Sequence, residues 1–153
     1  RLAVIFDIDE TVLSNWALMA RDDFGYISER WHAWVQGAEA EAIPAVRETY
    51  RTAKRAGVAV IFLTGRKARD RMATELNLKR AGMEDYAELI VKPDAAGGGR
   101  AWPNAVAFKT QMRRELVARG WTIIANVGDQ ESDLAGGYAE KTFKLPNPFY
   151  ITE

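Results

Sequence analysis

The stretch RLAVIFDIDETVLSN, residues 1–15, begins with an apolar run and then passes abruptly into a cluster of acidic residues. A short continuous apolar run is typical of a strand that is covered on both faces of a sheet. This run ends at Asp7, Asp9 and Glu10. Asp is a common turn residue, so the ending has a structural interpretation as well as a chemical one. The remaining strands decide between the two.

Further apolar runs recur along the chain, and segments with helical character separate them. Strands that alternate with helices indicate a parallel sheet with helices on both faces. We therefore predict an α/β fold with a Rossmann-like sheet, formed by a single domain over residues 1–153. The later predicted strands are VAVIFLTG at 58–65, AELIVKP at 87–93, WTIIANVGD at 121–129 and KTFKLP at 141–146.

The helices between these strands have recognisable beginnings and ends. Ser28 is expected to cap a short helix that loosens at Gly37. Pro44 is placed in the first turn of the next helix, which ends at Gly57. The later helical segments are expected over residues 67–81, 104–119 and 130–136, with Gly82 and Gly120 as the terminators of the first two.

The composition excludes several classes of catalytic site. The chain contains no cysteine and a single histidine, His32, which rules out thiol catalysis, disulfides and multi-histidine or cysteine-bound metal sites. Lys plus Arg and Asp plus Glu number 21 each, a balance that does not favour nucleic acid as a partner. Hydrolytic chemistry in this chain must therefore rest on carboxylates, hydroxyls, lysines and a hard metal ion.

The sequence also bears on location. No apolar stretch approaches the roughly 18 residues that a membrane-spanning helix requires, so we predict a soluble domain without a membrane span. The chain begins at Arg1 and enters a strand at once, so either an upstream segment was removed or the chain was trimmed. The missing leader is therefore no evidence for a cytoplasmic location.

Three of the predicted strands end in polar residues that could bind or react. Asp7 and Asp9 follow the first strand, and residues 64–66, TGR, follow the second. Asp129 and Asp133 follow the strand WTIIANVGD. In a parallel sheet, ligands bind beyond the carboxyl ends of the strands, near the point where the strand order reverses. We therefore expect these three endings to converge on one site.

The acidic residues of this group predict a metal site. Asp7 and Asp9 are two residues apart, so in extended backbone their side chains point the same way. With Asp129 they gather like charges in a small volume, which is costly unless a proton or cation intervenes. Oxygen ligands without His or Cys favour a hard ion such as Mg2+, which a substrate phosphate often completes. The predicted cofactor is therefore Mg2+.

A phosphoryl group also needs hydrogen-bond donors and positive charge. Thr64 and Gly65 end a strand just before a helix, so a hydroxyl and backbone N–H groups can point at an anion. A lysine must balance the remaining charge, and Lys109 and Lys92 are both candidates. Arg66 can pair with a carboxylate as readily as it can touch the substrate. Together these groups suffice for phosphoryl transfer through an aspartyl-phosphate.

These motifs carry a resemblance that covers nearly the whole chain. DIDET at 7–11, LTGR at 63–66, a later lysine and GDQESD at 128–133 together resemble the haloacid dehalogenase (HAD) superfamily of aspartate-nucleophile phosphatases. Within it the chain resembles subfamily IIIB, the secreted acid phosphatases and plant vegetative storage proteins. The segments ERWHAWV, AEAEAIPA and SDLAGGYAEKTFKLPNPFY also look like that group.

The resemblance implies roles in catalysis or phosphate binding for five residues. Asp7 corresponds to the nucleophile, and Asp9 to the general acid that protonates the leaving alcohol and then activates water. Thr64 and the amide of Gly65 correspond to the phosphate-binding groups. Lys109, rather than Lys92, corresponds to the lysine that stabilises the phosphoryl charge.

The resemblance also implies the metal ligands. Asp7, the backbone carbonyl of Asp9 and Asp129 correspond to the groups that hold Mg2+, and Asp133 supports the site through water or hydrogen bonds. Some storage-protein relatives have lost the nucleophile. Because Asp7 is present here, the resemblance favours an active enzyme.

The insertion point after the first strand often carries a cap in this superfamily. We predict a core formed by residues 1–13 and 44–153 and a small helical cap insert at about 14–43. Aromatic side chains there could stack on a nucleobase or form a small cap core, and both interpretations stay open. His32 is expected to have a packing or surface role. The aromatic residues are Trp16, Phe24, Tyr26, Trp31 and Trp34.

The predicted function is that of a Mg2+-dependent acid phosphatase acting on a small phosphomonoester, with nucleotides among the candidate substrates. A non-catalytic storage protein and a phospho-accepting receiver domain are the alternatives. The likeness to secreted relatives implies a secreted or periplasmic location, and a homodimer stays open. Gly97–Gly99 are expected to form a flexible connection rather than a phosphate loop, because no Walker pattern accompanies them.

Overall fold

The computed structural model describes residues 1–94 and 101–152, and the expected connection Gly97–Gly99 lies outside them. Its strands are β1 (Leu2–Phe6), β2 (Leu13–Ser14), β3 (Glu41–Ala42), β4 (Ala59–Lys67), β5 (Glu88–Lys92), β6 (Thr122–Gly128) and β7 (Thr142–Lys144). Its α-helices are α1 (Trp16–Arg21), α2 (Ser28–Gly37), α3 (Pro44–Arg55), α4 (Arg71–Arg80), α5 (Ala105–Ala118) and α6 (Glu131–Leu134). A 3-10 turn over Ala68–Asp70 joins β4 to α4.

The main sheet has five parallel strands in the order β5-β4-β1-β6-β7. The chain starts in the central strand, builds outward through β4 and β5, and then returns to the other side of β1 for β6 and β7. Phe6, the last residue of β1, is paired with Phe62 on one side and with Val127 on the other. The strand order therefore reverses at the end of β1, and the predicted α/β parallel sheet is confirmed.

The sheet is covered on both faces, as its continuous apolar strands predict. Alternate residues of β1 divide between two cores, with Phe6 in one and Ile5 in the other. Tyr50 of α3 and Leu78 of α4 belong to the core around Phe6. Phe108 of α5 belongs to the core around Ile5. Burial on both sides fixes the end of β1 in position.

The helix terminators were predicted more accurately than the helix beginnings. Gly57, Gly82 and Gly120 all follow helices and have positive φ angles, which L side chains rarely adopt. Ser28, by contrast, is the first helical residue and not the cap, because Ile27 occupies the cap position and makes no side-chain cap hydrogen bond. The prediction that a helix begins at Lys67 is also wrong, since β4 continues through this residue.

The segment that follows β1 contains two helices and a short ribbon. The ribbon pairs Leu13 with Ala42 in antiparallel fashion and brings the two ends of the segment together. Helix α1 lies in a stretch, Ser14 to Tyr26, where the sequence shows no clean helical period. The division into a core and a cap insert at about 14–43 remains a prediction.

Within residues 1–94 and 101–152, no helix combines the length and the apolar character that crossing a membrane requires.

Candidate active site

A cavity of about 440 Å3 opens at the carboxyl end of β1. Its base contains the ends of β1, β4 and β6 together with Lys109 of α5. Its other walls come from α1, α2 and the last described residues of the chain. The acidic and basic residues that line the base are Asp7, Asp9, Arg66, Lys109, Asp129 and Asp133.

Asp7 and Lys109 form a buried ion pair at the base. The Nζ atom of Lys109 lies 2.7 Å from Oδ1 of Asp7 and also donates to Oδ1 of Asp133. Burial alone would lower the pKa of Lys109, but the two carboxylates outweigh it and the pKa is raised. Lys92, the alternative lysine, does not line this cavity. The structure therefore brings Lys109, and not Lys92, to the nucleophile candidate.

Three carboxylates lie close enough to share one metal ion. Oxygen atoms of Asp7, Asp129 and Asp133 all lie within 4.8 Å of one another, and all three residues are buried. Oγ1 of Thr11 lies 3.2 Å from Oδ2 of Asp7 and 3.0 Å from Oδ1 of Asp129, so it joins two of them.

The charges of this group fit a divalent cation. Burial raises the pKa of Asp7 well above its usual range, and the neighbouring Asp133 and Asp129 raise it further, although Lys109 opposes them. Asp9 adds a fourth carboxylate, and Arg66 and Lys109 supply two positive charges, so the ionised set carries a formal charge of −2. A hard divalent ion would neutralise this excess and is bound by oxygen ligands of this kind.

Asp9 is paired with Arg66. The guanidinium donates to Asp9 through Nε at 3.1 and 3.2 Å and through Nη2 at 2.7 Å, while Asn15 Nδ2 donates at 2.9 Å. Burial would raise the pKa of Asp9, but the charge and hydrogen bonds of Arg66 outweigh it, so the pKa is lowered. Of the two roles left open for Arg66, the structure shows the carboxylate pair.

Thr64 and Gly65 occupy different positions relative to the cavity. Thr64 is fully buried, its Oγ1 accepts a hydrogen bond from the Arg66 amide at 3.0 Å, and it does not line the cavity. Gly65 does line it, and no atom lies within 4 Å of where a Cβ would stand. Strand β4 continues past both residues, contrary to the expectation that they end it. Only Gly65 of this pair faces open space.

The last residue of β6, Gly128, must be a glycine for Asp133 to reach the site. A Cβ on Gly128 would stand 2.4 Å from Cβ of Asp133 and 2.6 Å from its Oδ2. The carboxylate also accepts from the Gln130 amide at 3.0 Å, closing the first turn of α6. Arg113, fully buried, donates to the carbonyls of Asp133 and Ala135 and so holds the backbone of this turn.

Two features of the site are not predicted by the sequence patterns. Glu10 is buried beside Asp9 and accepts hydrogen bonds from the Asn15 amide at 2.7 Å and from the Tyr150 hydroxyl. Burial, with the charge of Asp9, raises the pKa of Glu10 to about 7. Asn147 donates to Oδ2 of Asp129 at 2.8 Å. The tail motif PNPFY contains Asn147 and Tyr150, but nothing in its spacing indicates these distant partners.

Some aromatic side chains of residues 14–43 line the cavity, and others lie away from it. Trp16 and Phe24 cluster with Phe149, with ring centroids 5.4 and 5.9 Å from it. Phe24 also lines the cavity, as do Tyr26 and Trp31. Trp34 does not, and its Nε1 donates to Asn15 at 2.8 Å.

His32 lies outside the cavity lining. Its Nδ1 is 3.1 Å from Oδ1 of Asp70, and Gln36 donates a hydrogen bond to the same oxygen. This position on α2 agrees with a packing or surface role.

Comparison with known proteins places this geometry in a family. The whole chain, residues 1–153, matches the family described as HAD superfamily, subfamily IIIB (Acid phosphatase). The class C acid phosphatase from Bacillus anthracis is similar in structure, with a TM-score of 0.75 and 27% sequence identity over 99% of this chain and 68% of that one.

Several plant proteins are similar in sequence. The stem 28 kDa glycoprotein of Glycine max is 38% identical over 97% of this chain and 59% of its own length. Acid phosphatase 1 of Solanum lycopersicum is 35% identical over 95% of this chain and 57% of its own. Vegetative storage protein 2 of Arabidopsis thaliana is 32% identical over 95% of this chain and 55% of its own length. The chain thus spans somewhat more than half the length of these relatives. It belongs to subfamily IIIB of the HAD superfamily, the acid phosphatase family.

Proposed function

We propose that this protein is a phosphomonoester hydrolase of the acid phosphatase type that works through an aspartyl-phosphate on Asp7. The observation that carries the proposal is the buried Asp7–Lys109 pair at the base of an open cavity, surrounded by Asp9, Asp129 and Asp133. A carboxylate so held is positioned for attack on a substrate that enters from above. Family membership supports the same reaction.

Asp7 acts as the nucleophile, and Asp9 transfers the protons. An oxygen of Asp7 forms a bond to phosphorus while the bond from phosphorus to the ester oxygen breaks, and Asp9 protonates that leaving oxygen. In the second step Asp9 takes a proton from water, whose oxygen attacks phosphorus and releases Asp7. The Arg66 pair lowers the pKa of Asp9 and so favours the ionised form that this second step needs. The second step leaves a proton on Asp9, and Asp9 must still carry that proton when it protonates the leaving oxygen of the next turnover.

The oxygen ligands fit Mg2+, which Asp7, the backbone carbonyl of Asp9 and Asp129 would hold, with Asp133 in support. When bound, the ion supplies positive charge next to the transferring phosphoryl group. Lys109 and the amide of Gly65 would donate further hydrogen bonds to the phosphoryl group.

Thr64 and Arg66 have smaller places in this scheme. Thr64 would act on the phosphate indirectly, by fixing the backbone of β4 around Gly65, since its hydroxyl oxygen accepts a hydrogen bond from the Arg66 amide. Arg66 would serve the substrate indirectly, through its hold on Asp9.

The substrate that we propose is a small phosphomonoester. The cavity is walled by aromatic side chains, among them Phe24 and Tyr26, that suit a flat or apolar leaving group such as a nucleoside. A location outside the cytosol is proposed from the relatives, one of which is named a glycoprotein. We propose no nucleic acid as a partner, and a homodimer is proposed as the oligomeric state.

The decisive variant is Asp7→Asn, which keeps the size of the side chain but removes the nucleophile. We expect turnover of a generic phosphomonoester to fall by about 10^3-fold or more. The exposed Asp85→Asn serves as the matched control and should stay near the unchanged rate. An Asp7→Asn protein with near wild-type turnover would refute the mechanism. Chelation followed by Mg2+ addition tests the metal separately, with loss and recovery expected.

A non-catalytic storage role is the second candidate, because relatives 32% identical to this chain are named vegetative storage proteins. The presence of Asp7 with its lysine and carboxylate partners supports an enzyme instead. A turnover assay with several phosphomonoesters separates the two, since a storage protein would hydrolyse none of them.

A further inference from the structure

Asp129 is held by three side chains from different parts of the chain. Thr11 lies 3.0 Å from its Oδ1, while Asn147 and Gln130 donate to its Oδ2 at 2.8 and 2.9 Å. Both oxygens of this carboxylate are therefore oriented before any ligand arrives. Gln130 is its chain neighbour, but Asn147 lies 18 residues further on.

Asn147 and Gln130 also hold residues 147–152, which we name the strap. Oδ1 of Asn147 accepts from the amides of Phe149 at 2.9 Å and Tyr150 at 3.3 Å. Gln130 donates to the Tyr150 carbonyl at 3.2 Å and accepts from the Thr152 amide at 2.8 Å. The same two side chains thus orient a carboxylate of the site and fix the backbone of the strap.

The strap forms part of the wall over the cavity. Phe149, Tyr150, Ile151 and Thr152 all line it. The ring of Phe149 packs against the aromatic residues of the opposite wall. If the strap lifts, Asn147 must leave Asp129, because one amide group makes both sets of contacts.

We propose that Asn147 is a positioning residue that orients Asp129 for a divalent cation and couples the affinity for that cation to the seating of the strap. The proposal rests on the proposed function for the presence of the cation. Such coupling is reciprocal. If the seated strap stabilises the bound cation by a given free energy, the bound cation stabilises the seated strap by the same free energy.

The first test measures Mg2+ affinity by titration calorimetry on the unmutated chain, Asn147→Ala and a control, Asn104→Ala. Asn104 caps α5 at an exposed site by accepting from the Ala107 amide. We expect Asn147→Ala to bind Mg2+ roughly 10- to 100-fold more weakly, the usual cost of losing a residue that orients a metal ligand. The control should match the unmutated chain. Equal affinity in Asn147→Ala would overturn the proposal.

The second test needs no variant. The Thr152 amide reports on the strap, because its acceptor is Gln130 and not Asn147. Its hydrogen exchange, followed by NMR, should slow about tenfold when saturating Mg2+ is added, in proportion to the coupling. An exchange rate that is the same with and without Mg2+ would overturn the coupling even if Asn147→Ala folds poorly.

The failure of this proposal can be told from that of the proposed function. If the chain hydrolyses phosphomonoesters with Mg2+, but Asn147→Ala leaves the Mg2+ affinity unchanged, only the positioning role is refuted. If Asn147→Ala weakens Mg2+ binding as expected, but the unmutated chain hydrolyses no phosphomonoester, only the phosphatase activity is refuted. A chain that binds no Mg2+ refutes the positioning role and the metal together.

Discussion

The base and the upper walls of the cavity are built on opposite principles. The base, formed by Asp7, Lys109, Asp129 and Asp133, consists of buried charges that follow paired strands or lie on helices α5 and α6 and are joined by hydrogen bonds. The upper walls, formed by α1, α2, the connection between them and the strap, present aromatic rings, of which Phe24 is 52% exposed and Tyr26 76% exposed. Chemistry requires fixed charges, whereas recognition of a leaving group requires an adaptable surface.

This contrast predicts where substitutions act. Changes at the base should cost stability and turnover together, because they leave buried charges without partners. Changes in the upper walls should alter the choice of substrate and little else. Glu10, which accepts a hydrogen bond from Tyr150, lies between the two regions, and its contribution to stability should depend on pH.

The largest effect on stability is expected from Lys109→Met. The substitution leaves the buried carboxylates of Asp7 and Asp133 facing each other without their cation, and should lower the unfolding free energy at neutral pH by about 3–5 kcal/mol. Urea unfolding without added metal measures it. Lys92→Met, at the end of β5, is the control and should stay within about 0.5 kcal/mol. A loss at Lys109 no larger than the control would contradict a charged, rigid base.

A second effect is expected between the two regions, from Glu10→Gln. The folded-state pKa of Glu10, about 7, lies above its ordinary value of 4.5, so folding favours the protonated form. The corresponding stability is complete below pH 4.5 and is lost as pH rises to about 7. Between these limits the unmutated chain should lose about 3 kcal/mol more than Glu10→Gln, measured by denaturant unfolding across the range. Parallel stability curves would show that Glu10 titrates normally.

The smallest effect is expected in the upper walls, from Phe24→Leu. Removing this ring should lower kcat/KM for p-nitrophenyl phosphate by about 2- to 10-fold, the range expected for one aromatic contact. The value for glycerol 1-phosphate should not change, because that leaving group reaches no ring. Phe143→Leu, an exposed aromatic residue on β7 away from the cavity, is the control. Equal losses on both substrates would place Phe24 in the chemistry rather than in recognition.

The convergence of the strand endings at the base could be predicted from the sequence, because each ending is marked by residues next to it in the chain. Each strand ending, such as Asp7 and Asp129, follows directly from an apolar run, and parallel strands must end at a common edge. The terminators Gly57 and Gly120 were predictable for the same reason, since each acts on its own helix. The assignment of roles within the base came from the resemblance and not from spacing.

The upper walls could not be predicted in the same way, because their contacts are distant in the chain. Tyr150 reaches Glu10 across 140 positions, and neither residue carries a local signal of the other. Helix α1 has no clean apolar period because its residues face the cavity and solvent as well as the core. The position of Thr64 could not be predicted either, since β4 continues past it and Thr64 does not line the cavity.

The most direct test of the central claim is to trap the acyl phosphate on Asp7. A single turnover, stopped with acid and reduced with borohydride, converts a phosphorylated aspartate to homoserine, and mass spectrometry of the peptide from residues 1–15 locates it. We predict conversion at Asp7, none at Asp9, and none without substrate. A chain that hydrolyses its substrate while Asp7 stays unmodified at every quench time would contradict the account.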